Sequence, residues 1–117
     1  MRLPLVAAAL GLVFLVGCDF KAQADAKLGD QNFKSAIVMV ELHRVRTGAY
    51  PDSLSQLQFL GDWDAIWLSA VEYRRLTDGY ELNVVRGWIG KPTLAYPPAF
   101  WSGLGIRKSN VMPGPAT

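Results

Sequence analysis

The stretch NFKSAIVMVELHRVRTGAYP, residues 32–51, decides the fold of this chain. Its apolar side chains recur at intervals of three and four positions, which places them on one face of a helix. The stripe consists of Phe33, Ala36, Ile37 and Val40, with Leu28 and Val45 extending it. The pattern predicts one long helix over residues 24–47, with this face turned toward a core.

The helix is expected to stop at Gly48, because glycine readily takes the left-handed backbone that ends a helix. Pro51 then prevents the helix from resuming and holds Tyr50 extended. A short second helix is expected next, with Leu54 and Leu57 turned inward.

Two strands are predicted further along the chain. Residues 71–75 alternate between two faces and predict the first strand, residues 77–79 predict a turn, and residues 80–84 predict a second strand that runs back along the first. A third strand is expected over residues 93–96. The predicted fold is therefore α+β, a long N-terminal helix packed on a small antiparallel sheet of about three strands.

The chain opens with Arg2 and an uncharged run over residues 3–16, which is shorter than the ~20 apolar residues of a bilayer-spanning helix. A basic tip, a short apolar segment and small residues at its end are typical of a secretory signal peptide. The run ends in LVGC, residues 15–18, which resembles the lipobox of bacterial lipoproteins. The resemblance implies cleavage after Gly17 and acylation of Cys18. An ordinary signal peptide followed by a free thiol is the alternative.

Acylation of Cys18 bears on both chemistry and location. Cys18 is the only cysteine, so the mature chain would have no disulfide and no thiolate metal site. Acyl chains hold a small domain on a membrane, since each buried methylene contributes about 0.8 kcal/mol. Asp19 resembles the signal that keeps a lipoprotein in the inner membrane of enteric bacteria. The predicted location is the cell envelope, facing the periplasm, with the inner membrane favoured.

The predicted organisation has four parts: a signal peptide (1–17), a lipidated N-terminus and tether (18–29), a folded domain (30–111) and a flexible tail (112–117). Roughly 100 residues remain after cleavage, enough for one small core. The formal net charge of +2 includes Arg2, so the mature chain is close to neutral. This excludes general nucleic-acid binding, which relies on a dense basic face.

The end of the long helix carries a family resemblance. The residues RTGAYP, 46–51, followed by a leucine-bearing segment, resemble a recurring pattern of type IV pilin-like proteins. The pattern is closest to that of the major pseudopilin of type II secretion. The resemblance implies structural roles: Gly48 ends the helix, the Tyr50 ring covers the sheet side of the helix end, and Pro51 fixes the exit direction.

The sequence DGYEL, residues 78–82, carries the second part of this resemblance. Asp78 and Gly79 match the turn, and Tyr80 matches the start of the strand, in the same family. The two motifs together cover about residues 33–85. They imply that the domain has the pilin-like headpiece fold.

The chain also departs from the pilins. A pilin retains a long apolar helix with a glutamate at the fifth position after the cleavage site, where this chain has Ala22, and residues 21–34 are polar. The family's calcium site uses acidic residues of the C-terminal loops, and none follows Glu81. The chain is therefore not expected to be an ordinary filament subunit, and no metal or cofactor is predicted.

No catalytic constellation is found in the sequence. His43, the only histidine, is expected at the surface or end of the long helix. Asp62 and Asp64 flank Trp63, where a solvated turn is favoured over a shared cation or proton. Ser102 lacks the glycine two positions before it that a nucleophile elbow requires. An enzyme is not expected.

The aromatic residues are the remaining candidates for function. Four tryptophans are more than a domain of this size easily buries, and exposed aromatic rings concentrate at interfaces. The preferred interaction candidates are Tyr96, Phe100 and Trp101, with Trp63 and Trp67 as further candidates. Packing of these rings in the core is the default alternative.

Two functions remain open on the sequence. The first is an accessory or assembly interaction lipoprotein of a secretion or pilus-like envelope system, which presents the pilin headpiece on a lipid anchor. Its partners would be the membrane lipid and the proteins of that system. The alternative is a stand-alone envelope lipoprotein that binds a ligand or a protein through an aromatic surface patch.

Overall fold

The computed structural model describes residues 3–58 and 61–115, with side chains from residue 19 onward. The predicted signal peptide, residues 1–17, and the predicted lipidation site Cys18 lie outside the residues whose side chains are described. The described residues form two α-helices and three strands, α1 (Leu3–Thr47), α2 (Asp64–Leu68), β1 (Val71–Leu76), β2 (Gly79–Val84) and β3 (Ile106–Lys108). The predicted α+β class is confirmed.

Helix α1 begins well before the predicted residue 24, and residues 19–29, assigned to a tether from the sequence, are helical. The buried face of the helix continues through Asp25, Gly29 and Asn32. These side chains are polar or absent, so their burial leaves no apolar pattern in the sequence. Among the described residues, no helix has both the length and the hydropathy that crossing a bilayer requires.

The C-terminal end of α1 lies where the sequence predicts it. Gly48 has a φ of 89°, and its N–H donates to the carbonyl oxygen of Arg44 at 2.8 Å. Pro51 is buried, and a 3-10 turn over Leu54–Gln56 follows. This turn brings Leu57 into the core.

The hairpin is confirmed, but the rest of the sheet differs from the prediction. Strands β1 and β2 pair antiparallel from Val71 opposite Val84 to Leu76 opposite Gly79. Strand β3 pairs with β2 in parallel, so the sheet is mixed, in the order β1-β2-β3. The prediction of an all-antiparallel sheet was therefore wrong.

The third strand is also not where the sequence placed it. Residues 93–96 form no strand, because Leu94 and Tyr96 pack against the core and the carbonyl oxygen of Leu94 accepts a hydrogen bond from Met112. The strand that forms instead, β3, has only three residues, too few to show an alternating pattern. Its place is set by the long connection from β2, which a parallel pairing requires.

The core lies between one face of α1 and the sheet. Phe33 and Val40 of the helix and Tyr80 and Leu82 of β2 are fully buried. The whole cluster comprises Phe33, Ala36, Ile37, Val40, Leu57, Trp67, Val71, Tyr80, Leu82, Val84, Trp101, Ile106 and Val111. Burial of these apolar side chains is the main force that holds the helix on the sheet.

Candidate interaction surfaces

Glu41 on α1 connects the residues of the two sequence motifs. Its Oε2 accepts hydrogen bonds from the Tyr80 hydroxyl at 2.9 Å and from the Gly105 N–H at 3.0 Å. Its Oε1 accepts one from the Tyr50 hydroxyl at 3.1 Å, and the Tyr50 and Tyr80 rings lie 5.0 Å apart. One carboxylate therefore joins the helix, the chain that leaves it and the sheet. We call these four residues the Glu41 cluster.

The tyrosines of this region are held in their neutral form. Burial, followed by the charge of Glu41, raises the pKa of Tyr80 and of Tyr50 above the usual range. Burial raises the pKa of Tyr73 to about 12, and its hydroxyl donates to the carbonyl oxygen of Pro51 at 2.5 Å. The hydroxyls act here as hydrogen-bond donors that fix the helix exit to the sheet.

Sequence reasoning missed Glu41, which looks like one of several surface charges on the helix. A signal was present, because Phe33, Ile37 and Glu41 are spaced four residues apart and so lie on one face. An acid that continues an apolar stripe is a candidate for a buried acceptor.

Thr77 and Asp78 form the turn of the hairpin, and Gly79, which the sequence also assigned to the turn, begins β2. A Cβ at Gly79 would lie 2.1 Å from the carbonyl oxygen of Gly105, so only glycine allows the approach of β2 to the residue before β3. The carbonyl oxygen of Asp78 accepts a hydrogen bond from Arg107 Nε at 3.3 Å. These contacts assign the motif a role in sheet assembly.

The preferred aromatic candidates from the sequence gather around Phe33 on α1. The Tyr96 and Phe100 rings stack at 4.1 Å, and Tyr96 stacks on Phe33 at 5.8 Å. Trp101 is only 7% exposed, whereas Tyr96 and Phe100 are half-buried. The Tyr96 hydroxyl donates to Asp30 at 2.6 Å, and burial raises the pKa of Tyr96. Trp101 therefore lies in the core, and Tyr96 and Phe100 pack against it.

The two other candidates, Trp63 and Trp67, have opposite environments. Trp67 is buried, and its Nε1 donates to Asp64 Oδ1 at 2.6 Å, whereas Trp63 is 82% exposed. The Gly61 N–H, and then the Trp67 indole, lower the pKa of Asp64. Asp64 therefore fixes the start of α2 through its hydrogen bonds with Gly61 and Trp67, rather than forming a pair with Asp62.

An open groove of about 300 Å³ lies between α1 and α2. It is lined by Lys34, Ser35, Val38 and Met39 from α1 and by Asp64 and Trp67 from α2. Val38 in this groove is largely exposed, and the neighbouring Trp63 adds a second exposed apolar side chain. We call the groove together with Trp63 the Trp63 surface.

A second exposed apolar surface lies at residues 86–91, the 86–91 loop. The Asp25 Oδ1 atom accepts three backbone N–H bonds, from Trp88 at 3.0 Å, Ile89 at 2.8 Å and Gly90 at 3.0 Å. These bonds, the Ile89 N–H first, lower the pKa of Asp25, and Lys21 Nζ lies 3.4 Å from its other oxygen. A Cβ at Gly87 would lie 2.0 Å from the carbonyl oxygen of Asp25. The loop is therefore seated directly on α1.

Sequence reasoning missed this loop as well. Trp88 and Ile89 are exposed, and the Trp88 ring meets the Phe20 ring edge-on at 6.2 Å. No local pattern links Asp25 to amides more than 60 residues later.

His43 is half-buried at the end of α1, and its carbonyl oxygen accepts a hydrogen bond from the Thr47 hydroxyl at 2.8 Å. Among the described residues, no three His, Cys, Asp or Glu side chains are grouped so that they could hold a metal ion.

Comparison with known proteins adds no relative to this picture. The chain matches no protein-family model, no curated protein and no solved structure. Its function must therefore be argued from its own residues and surfaces.

Proposed function

We propose that this chain is a lipid-anchored envelope protein with a pilin-like domain, and that it acts as an accessory or assembly subunit of a secretion or pilus-like system. The LVGC sequence supplies the anchor at Cys18, and the domain supplies a surface for protein partners. The observation that carries the interaction role is the Trp63 surface.

The pilin-like part of the proposal is supported by the way the helix meets the sheet. The motif residues Tyr50 and Tyr80 contact each other and share Glu41 as their acceptor. Gly48 takes the left-handed backbone that ends the helix. These contacts at Gly48, Tyr50 and Tyr80 support the resemblance.

The Trp63 surface supports a protein partner. Trp63 is 82% exposed, and tryptophan is enriched at interface hot spots. The groove beside it is lined by the apolar Val38 and Met39 and by the charged Lys34 and Asp64, a mixture of side chains that is common at protein interfaces. A helix or extended segment of another envelope protein suits such a groove.

The anchor is tested by mass and fractionation. Intact-mass measurement should find the mature chain beginning at Cys18 and carrying acyl groups. The Cys18→Ser protein should lack the mass of the acyl groups and should no longer be found in the membrane fraction. An unacylated wild-type chain would contradict the anchor.

The partner role is tested by tagged purification from detergent-solubilised membranes, with mass spectrometry of the proteins that accompany the chain. Trp63→Ser should lose secretion or pilus components that the wild type recovers. Trp88→Ser, a change at the other exposed tryptophan, should retain them and serves as the matched control. Recovery of no such component with the wild type would contradict the assembly role.

One observation favours the alternative, a stand-alone lipoprotein that binds a small ligand. A groove of about 450 Å³ lies beside Trp101, Leu104 and Ile106. The Trp101 Nε1 atom is buried without a hydrogen-bond partner among the described residues. A ligand acceptor would satisfy this donor, and a screen that follows Trp101 fluorescence, with Trp101→Phe as control, tests this function.

A further inference from the structure

We propose that the 86–91 loop and Phe20 form a membrane-contact surface that rests in the headgroup region of the bilayer. In this arrangement Trp88, Ile89 and Phe20 lie at the boundary between headgroups and acyl chains. The inference rests on the proposed lipid anchor and goes beyond it, because it fixes which face of the domain meets the membrane.

The first observation is an exposed apolar group beside the anchor. Phe20 is 62% exposed, Ile89 59% and Trp88 46%, and the Phe20 and Trp88 rings touch. Tryptophan favours the membrane interface, because its ring is apolar and its N–H remains hydrated there.

The second observation is that hydrogen bonds to Asp25 of α1 hold this surface in place. Asp25 accepts the N–H groups of Trp88, Ile89 and Gly90, so these N–H groups need no water. Gly87 permits backbone contact with the helix at Asp25. The loop is therefore held on the helix, and its apolar side chains can meet an apolar phase without burying free N–H groups.

The third observation is the charge around the apolar group. Lys21, Arg86 and Lys91 are the cations of this region, and Arg86 is oriented by a hydrogen bond to the Ser69 hydroxyl at 2.7 Å. Asp25 pairs with Lys21, and Asp19 is the exposed acid, so the three cations stand against two acids. An excess of cations around apolar side chains complements anionic lipid headgroups.

The position in the chain selects a bilayer over a protein as the occupant. Phe20 lies two residues after Cys18, which is about 3 Å along a helix. Any anchor at Cys18 therefore brings this surface to the membrane. The Trp63 surface lies beside residues 34–39 of α1, roughly 20 Å further along the helix, where it remains free for a protein.

The test uses the acylated full chain, purified in detergent and reconstituted into vesicles of phosphatidylethanolamine and phosphatidylglycerol. Tryptophan fluorescence is compared between vesicles with plain and with brominated acyl chains, since bromine quenches only rings at contact. Brominated vesicles should quench the wild type. Trp88→Phe should lose most of this quenching, whereas Trp63→Phe should keep it. Ile89→Asp should weaken the quenching of Trp88 while the chain stays on the vesicles.

The outcomes separate this inference from the anchor. Vesicle-bound, acylated protein whose quenching is unaffected by Trp88→Phe, or which is not quenched at all, overturns the membrane contact and leaves the anchor in place. Protein that lacks acyl groups and does not sediment with vesicles overturns both. Circular dichroism of both phenylalanine variants should match the wild type, as expected for changes at exposed rings.

Discussion

Two carboxylates on the same helix, Asp25 and Glu41, have different roles. Glu41 accepts from two tyrosine hydroxyls and one N–H, and its partner Tyr80 is fully buried in the core. Asp25 accepts three backbone N–H groups of a loop whose side chains point into solvent. The Glu41 cluster stabilises the domain, whereas Asp25 shapes a surface.

The two carboxylates differ in what happens to their hydrogen-bond donors when the carboxylate is removed. Without Glu41, a hydroxyl and an N–H remain inside the protein with no water to replace the acceptor. Without Asp25, the loop amides can turn outward and bond to water. Loss of Glu41 should therefore lower the stability of the whole domain, whereas loss of Asp25 should mainly loosen the loop.

The largest effect is expected from Glu41→Leu. Two buried donors would lose their acceptor at about 1–3 kcal/mol each, so the free energy of unfolding should fall by about 3 kcal/mol. Urea denaturation followed by far-UV circular dichroism measures this change.

Two further variants sharpen the Glu41 result. Glu41→Gln keeps an acceptor of similar shape and should restore part of the loss. Glu72→Gln changes an exposed glutamate of β1 and should leave the free energy of unfolding within about 0.5 kcal/mol of wild type. A loss as large for Glu72→Gln as for Glu41→Leu would contradict a specific role for the cluster.

The next effect is alkaline loss of stability at the Glu41 end. Burial raises the pKa of Tyr73 to about 12, and that of Tyr80 is raised as well, so the folded chain keeps protons that the unfolded chain loses near pH 10. Stability is therefore fully present below about pH 10 and declines above it.

Urea midpoints taken between about pH 9 and pH 12 measure this decline. Tyr73→Phe removes one of the raised groups, and it should make the decline shallower. A wild-type midpoint that stays constant across this range would contradict the burial of the tyrosine hydroxyls.

A smaller and local effect is expected from Asp25→Asn. The amide oxygen is a weaker acceptor than the carboxylate, so the N–H groups of Trp88, Ile89 and Gly90 should open more often. Hydrogen exchange at these three amides should accelerate, with a smaller change in global unfolding than Glu41→Leu causes. Asp19→Asn alters an acid that contacts only the exposed Gln23 in the described structure, and it should leave these amides unchanged.

The two regions also differ in how far the sequence predicts them. The helix stop at Gly48 and the hairpin turn at Gly79 follow from local backbone chemistry, and both lie where the sequence places them. The Phe33 face is likewise visible as a spacing of apolar side chains. Local signals were sufficient wherever the determining atoms are close in the chain.

The remainder depends on contacts between distant parts of the chain. The burial of Asp25 and Gly29 requires residues 87–92 as a partner, and neither side carries an apolar pattern. The three residues of β3 pair with β2 only after a long connection, so their pairing direction was not readable. The candidate surfaces also depend on contacts beyond the local sequence. Trp63 and Trp67 stand in similar local sequence, but Trp67 is buried and Trp63 is exposed.

The smallest effect is an acid response of the 86–91 loop. The Ile89, Gly90 and Trp88 N–H groups lower the pKa of Asp25, so the folded state prefers the carboxylate. The contribution of these bonds is therefore present above the ordinary aspartate pKa of about 4 and is lost as the pH falls through the lowered value. Amide chemical shifts of residues 88–90 should move in this acid range. Asp25→Asn should abolish the response of these three amides, and a response that survives in this variant would assign it to another acid.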